Sequence, residues 1–156
     1  MDLAEAVEAA ARDVARSLSP ERLRVEVALD LPLVRADARL RHHCLLNLLD
    51  NAARHGAARD AVAVDATIDA KGLTLRVVDR GPGLAPGAEQ RVWEQFAQLE
   101  GSDRKGGTGL GLAIVAGFAA AMGVEPSARN REDGAGAVFA LRFPPALLVR
   151  PEEETV

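Results

Sequence analysis

The stretch Lys105-Gly106-Gly107-Thr108-Gly109-Leu110-Gly111-Leu112 places four glycines within six residues and runs directly into an apolar segment that ends at Met122. Glycine reaches positive φ and lets a backbone come close to a ligand. A helix opening on such a loop offers unpaired N–H groups and the positive end of its dipole, which suits a phosphate. The same glycines also suit a loop that holds nothing, so the reading turns on what lies upstream.

Composition narrows the field. A chain of 156 residues with 48% hydrophobic residues is one domain with a real core, and 3% aromatics make that core aliphatic and alanine-rich. A net charge of −4 argues against nucleic acid, which calls for a basic face. The lone Cys44 excludes an internal disulfide and fits a reducing cytoplasm. No segment has the length and apolarity of a membrane span, and no signal peptide opens the chain, so this segment is expected to be soluble, without direct membrane contact. The Leu110–Met122 run has the length of a buried core helix.

Working outward along the chain, Leu3, Val7, Ala10, Ala11, Val14 and Leu18 keep helical spacing, which predicts an amphipathic helix over 2–18, ended by Ser19-Pro20. Leu23, Val25, Val27 and Leu29 alternate as in a half-buried strand, and Leu33-Val34-Arg35 is a second, short one. Asp37 is placed to cap a helix from about 38 to 55, which Gly56 would close. Val62, Val64, Ala66 and Ile68, then Leu73, Leu75 and Val77 after the Lys71-Gly72 turn, predict a β-hairpin with one buried face. Residues 84–107 show no sustained period beyond a patch at Val92, Trp93 and Phe96, and read as a long mobile lid. A weak strand near 124–130 and a clear one at Val138–Phe143 follow, joined by Glu132-Asp133-Gly134. Pro126 confines the weak strand to an edge or bulge. The order predicts an α+β two-layer sandwich: a mixed, mostly antiparallel sheet with three long helices on one face. A single domain fills 1–156, with its core at about 2–144 and a tail over 145–156.

Two further constellations could carry chemistry. His43, Asn47 and Asn51 fall at i, i+4 and i+8 on the second helix, with Arg54 and His55 a turn on. Either the stripe is a solvated helix face, or its amides hold a hard cation such as Mg²⁺ while Arg54 and His55 reach phosphate oxygens. Asp79-x-Gly81-x-Gly83 ends a strand; it is either an ordinary turn or a carboxylate set to accept from an exocyclic amine such as that of adenine. His42-His43-Cys44 does not make a metal site, since consecutive helical residues point about 100° apart; Cys44 reads as a small core residue.

The succession of these pieces resembles the catalytic and ATP-binding domain of sensor histidine kinases, with the Bergerat (GHKL) fold shared by gyrase, Hsp90 and MutL. The likeness runs from about residue 2 to 144. Asn47-Leu48-Leu49-Asp50-Asn51-Ala52-Ala53-Arg54-His55 is similar to the N box, Asp79–Gly83 to the G1 box, Val92-Trp93-Glu94-Gln95-Phe96 to the F box and Gly107–Leu112 to the G2 box. Gly134-Ala135-Gly136-Ala137-Val138-Phe139 resembles the closing glycine–phenylalanine element. The Pro-Leu-Val-Arg-Ala-Asp lead-in and the His-His-Cys segment look most like potassium-sensing, Kdp-type kinases. His55 stands where many relatives carry Tyr, and Trp93 where the F box has Phe.

The resemblance implies roles. Asp79 would bond the adenine amine, Gly81 and Gly83 would shape the pocket floor, and Leu84 would line the nucleotide. Asn51 would coordinate Mg²⁺ with Asn47 beside it, and Arg54 and His55 would meet phosphates or ribose. Lys105 would reach the γ-phosphate, and the backbone from Gly107 through Thr108, Gly109 and Leu110 to Gly111 would cradle the others; Asn51, Lys105 and Thr108 make up the catalytic set. ATP-hydrolysing relatives carry a glutamate where this chain has Asn47, which cannot act as a general base, so transfer to a protein histidine is expected rather than hydrolysis. His42, His43 and His55 all lie on the N-box helix, so the acceptor is expected on a dimerisation domain of the same parent kinase, outside this chain. That parent would be dimeric, anchored in the inner membrane with this module cytoplasmic, and would bind ATP and ADP and serve a response regulator, here in a potassium or osmotic response. An anti-sigma-factor serine kinase, a nucleotide-sensing module without transfer activity, and a scaffold are the competing readings.

Overall fold

In the computed structural model the described residues are 2–28, 30–55, 61–94 and 111–149. The elements follow as α1 (Leu3–Asp13), β1 (Leu23–Glu26), β2 (Leu33–Val34), α2 (Ala38–His55), β3 (Val62–Asp69), β4 (Gly72–Val78), α3 (Ala88–Arg91), α4 (Gly111–Met122), β5 (Glu125–Asn130), β6 (Ala137–Phe143), a 3₁₀ turn (Pro145–Leu147) and β7 (Leu148–Val149). The main sheet has the order β1-β3-β4-β6-β5, with β1–β3 parallel and every other pair antiparallel. This is the α+β arrangement anticipated from the alternation of apolar residues.

Register turns that alternation into a core. Val64, Val77, Phe139 and Ala128 lie side by side across β3, β4, β6 and β5, and Ala66, Leu75, Leu141 and Pro126 form the next row. Most of these side chains are buried beneath Leu45, Leu48, Leu49 and Ala52 of α2. The other face carries Asp65, Arg76, Arg142 and Glu125, with Arg76–Asp65 at 2.6 Å and Arg142–Glu125 at 2.9 Å. α2 packs on α1 and α4, and Leu3, Val7 and Ala10 close the core on the α1 side.

Local signals behave as their chemistry dictates. Asp37 caps α2, its Oδ1 accepting from the N–H groups of Arg39 (2.9 Å) and Leu40 (3.1 Å). Gly123, at φ 75, ends α4: its N–H bonds Ala120 O and that of Val124 bonds Ala119 O. β5 is the sheet edge, where Pro126 removes no donor the ladder needs.

Five expectations change. α1 stops at Asp13 rather than near residue 18: Val14 leaves helical geometry at φ −101, ψ 9, and the chain goes on in turns whose Ser17 and Leu18 N–H groups both bond Val14 O; Val14 and Leu18 still reach the core. Val25 of β1 is 40% exposed, as an edge strand permits. Residues 84–94 are packed instead of belonging wholly to a mobile lid: Leu84, Ala88 and Val92 are buried at i, i+4, i+8, and α3 lies against β5. α4 buries only Leu112, Val115 and Ala119 and leaves Ile114 at 39% exposure, so it is an outer-layer helix, not a buried core one. Packed structure extends past residue 144, since β7 pairs with β2 and buries Val149, and Arg35 N–H donates to Leu147 O at 2.7 Å. Gly56 and the tail beyond Val149 lie outside the described residues.

Candidate functional site

Asp79 sits immediately after β4 and is 1% exposed. A carboxylate so buried requires hydrogen-bond donors. Its Oδ1 accepts from the backbone N–H of Gly81 at 2.9 Å and of Ala137 at 3.1 Å, and its own N–H donates to Ala137 O at 3.0 Å. The carboxylate is thus fixed by the turn that follows it and by the first residue of β6.

Glycines set how closely the surrounding stretches approach. A Cβ on Gly81 would lie 2.2 Å from His55 O, so the turn after Asp79 rests on the last residue of α2. Gly136, at φ 132, brings its backbone against Asp79, where a Cβ would lie 2.0 Å from Asp79 O. A Cβ on Gly111 would sit 3.3 Å from Asn47 Oδ1, which places the opening of α4 beside the amide stripe of α2. Residues far apart in sequence thus meet along the α2 stretch from Asn47 to His55: Gly111 beside Asn47, and the turn at 79–81, itself backed by 136–137, against His55.

On α2, Asn47 donates its Nδ2 to His43 O at 2.9 Å, which leaves Oδ1 turned toward Gly111. Asn51 Nδ2 is buried and meets no hydrogen-bond partner among the described residues. A half-turn of that amide exchanges donor for acceptor, so the position suits either a phosphate oxygen or a cation. Arg54 forms an i, i+4 pair with Asp50 at 2.9 Å and stays partly exposed. Arg22 donates to Ala53 O at 3.4 Å, a cation set at the helix C-terminus. Leu84 is buried, with its backbone N–H and C=O both bonded to Asn130. Lys105, Gly107, Thr108, Gly109 and Leu110 lie outside the described residues.

The three consecutive residues His42-His43-Cys44 diverge. His42 meets Asp13 of α1 at 2.7 Å, and His43 stands edge-on to Phe118 of α4 with ring centroids 5.8 Å apart. Cys44 is fully buried beside Val115 O, and burial pushes its thiol up to about 11. Sequence reasoning missed the burial of Arg41, whose guanidinium is held below its ordinary value by desolvation while Asp37 opposes the shift. It also gave no role to Asn130 or Ala137, for which the glycine before β6 was the available signal. Trp93 packs edge-on against Phe139 with centroids 5.8 Å apart, tying the F-box segment to the sheet. A separate cleft of about 480 Å³ opens among Arg24, Arg76, Arg80 and Arg129. Arg76 and Arg80 alternate in the chain with Val77 and Asp79, so that cleft belongs to the opposite face of the sheet.

Residues 36–147 match the family of histidine kinase-, DNA gyrase B- and HSP90-like ATPases. The chain belongs to this family. Among sequence relatives of this ATPase domain, the sensor protein KdpD of Escherichia coli (strain K12) is 38% identical over 114 residues, 73% of this chain and 13% of KdpD. The sensor protein RstB of the same organism is 36% identical over 132 residues, 83% of this chain and 30% of RstB. The chain therefore spans less than a third of either relative. The fold matches the mycobacterial sensor histidine kinase MprB with a TM-score of 0.78 at 27% identity, covering 92% of this chain and 95% of that one. It also matches full-length ShkA in complex with AMPPNP, with a TM-score of 0.72 at 31% identity, covering 92% of this chain and 30% of that one. Among the described residues no helix of the ATPase domain is long and apolar enough to cross a membrane.

Proposed function

We propose that the domain binds Mg·ATP at this locus and passes the γ-phosphoryl group to a histidine on a separate dimerisation domain of its parent sensor kinase. The observation that carries the reading is the buried Asp79 carboxylate, locked by Gly81 and Ala137, beside an α2 whose Asn51 Nδ2 is buried without a partner among the described residues. Desolvated polar atoms held in place are features of a binding site. The AMPPNP complex of ShkA supports the nucleotide class.

In this reading Asp79 takes the adenine amine, Gly81, Gly83 and Leu84 border the base, and Asn51 with Asn47 faces Mg²⁺ and the phosphates. Arg54 and His55 supply positive charge at the end of α2, while Lys105, Thr108 and the backbone of Gly107, Gly109, Leu110 and Gly111 complete the phosphate site. Mg²⁺ would neutralise phosphate charge, and the protein's part is to orient the nucleotide and exclude water. Asn47, committed as a donor to His43 O, cannot draw a proton from water, so the reaction favours a protein acceptor over hydrolysis. The likeness to the sensor protein KdpD supports a sensor-kinase parent, which in this reading is membrane-anchored and dimeric, answers a potassium or osmotic signal and acts on a response regulator.

The test supplies a dimerisation hairpin from the parent kinase together with γ-labelled ATP and Mg²⁺. Acid-labile phosphohistidine on the hairpin is the expected product. Nucleotide binding without any transfer would contradict the kinase reading and favour a sensing module.

A further inference from the structure

Asn130 is an exposed residue at the end of the edge strand β5, yet both ends of its side-chain amide are used by one residue 46 positions away. Its Oδ1 accepts from Leu84 N–H at 2.6 Å and its Nδ2 donates to Leu84 C=O at 3.0 Å. This two-point pairing imitates the bonds a further strand would make to the edge of the sheet, so the side chain substitutes for one rung of a ladder.

The position of that rung gives it meaning. In register, Asn130 lies opposite Ala137, the residue whose N–H bonds Asp79 Oδ1. Gly83 precedes Leu84 at φ 82, and a Cβ there would lie 2.7 Å from Asn130 Oδ1 and 3.3 Å from Gly136 O. The far end of the Asp79-x-Gly81-x-Gly83 turn is therefore held against β5 and the residues before β6, while its near end is held through Asp79. Because Asn130 is solvent-accessible, its bonds compete with water and contribute little to folding as a whole. Their effect falls on where the backbone of Gly83 and Leu84 stands.

We propose that Asn130 is a positioning residue for nucleotide binding: its amide clasps Leu84 and fixes the wall of the pocket at the base end. The inference rests on the nucleotide reading given above. The clasp acts on ground-state binding of the base, so its loss weakens all adenine ligands by one factor, whatever their phosphates.

The test compares Asn130→Ala and Asn130→Asp with Ser127→Ala, an exposed control on the same strand. Leu84 amide exchange, read without nucleotide, accelerates in Asn130→Ala. Affinity for ATP, ADP and adenosine falls about five- to tenfold alike, the scale of one or two lost hydrogen bonds. With a supplied acceptor hairpin, KM for ATP rises and kcat stays within about twofold, which a general loss of structure would not produce. Asn130→Asp binds less tightly than wild type because a carboxylate oxygen then faces Leu84 C=O. Wild-type affinity in Asn130→Ala, a loss confined to ATP, or unchanged Leu84 exchange would overturn the proposal. Absence of adenine-nucleotide binding by the wild-type domain would overturn the underlying reading, and the pocket role of the clasp with it.

Discussion

Replacing Asp79 in two ways separates its part in folding from its part in binding. In Asp79→Ala the N–H groups of Gly81 and Ala137 lose a buried acceptor. Each such loss costs about 1–3 kcal/mol, so the variant should be about 2–6 kcal/mol less stable, a large share of the roughly 5–15 kcal/mol of a domain. In Asp79→Asn the amide oxygen can still accept both bonds, so the stability cost should stay below about 2 kcal/mol. The other oxygen becomes an NH₂ group, however, and in the proposed complex a donor would then face the adenine amine. Loss of a charge-assisted bond, about 1.5–3 kcal/mol, predicts affinity weakened roughly 10- to 150-fold. Urea denaturation without nucleotide measures the first effect, and calorimetric titration with ATP the second. Equal stability of Asp79→Ala and Asp79→Asn would refute the hydrogen-bond assignment. ATP affinity in Asp79→Asn within twofold of wild type would refute the role of the carboxylate.

Further expectations follow from individual positions. Gly136→Ala drives a Cβ to 2.0 Å from Asp79 O at a φ of 132, so thermal denaturation should show a loss of roughly 3 kcal/mol or more. Gly117→Ala meets nothing within 4 Å inside α4 and should raise stability by about 1 kcal/mol in the same assay. The Cys44 thiol, raised from 9.0 to about 11 by burial, stabilises the fold fully below pH 9. That contribution is lost as pH climbs through 11 and the unfolded chain ionises first; it amounts to about 3 kcal/mol, and Cys44→Ala should flatten the pH profile of urea midpoints. Truncation after Pro144 removes the β2–β7 pairing and the burial of Val149, and should cost about 3–5 kcal/mol by urea denaturation.

Where structure is local, the sequence announced it. The β3–β4 hairpin, the Asp37 cap and the span of α2 rest on alternation, capping chemistry and helical spacing within a few residues of each other. Asp79 and the amide stripe could be singled out for a related reason: a carboxylate at a strand end and two amides on one helix face are local patterns. Each also fits a bland turn or a solvated face, and it is the structure that buries Asp79 and the Asn51 amide nitrogen. What escaped depends on partners distant in the chain. The turn of α3 is four residues long and too short to hold itself, and it exists because Leu84, Ala88 and Val92 meet the sheet. β7 is two residues that become a strand only against β2. The Asn130 clasp spans 46 positions, and no spacing rule connects an edge asparagine to a leucine backbone. α4 misled through composition, since a helix without polar residues reads as fully buried, whereas its glycines and alanines expose little apolar area on an outer layer.

Calorimetric titration with ATP, in Mg²⁺ and in EDTA, on wild type and Asn51→Ala decides whether Asp79 and the α2 amides form one Mg·ATP site. One-site binding of about micromolar affinity is expected, strengthened by Mg²⁺ in the wild type and insensitive to it in Asn51→Ala. No binding by the wild type, or Mg²⁺ dependence that survives in Asn51→Ala, would contradict it.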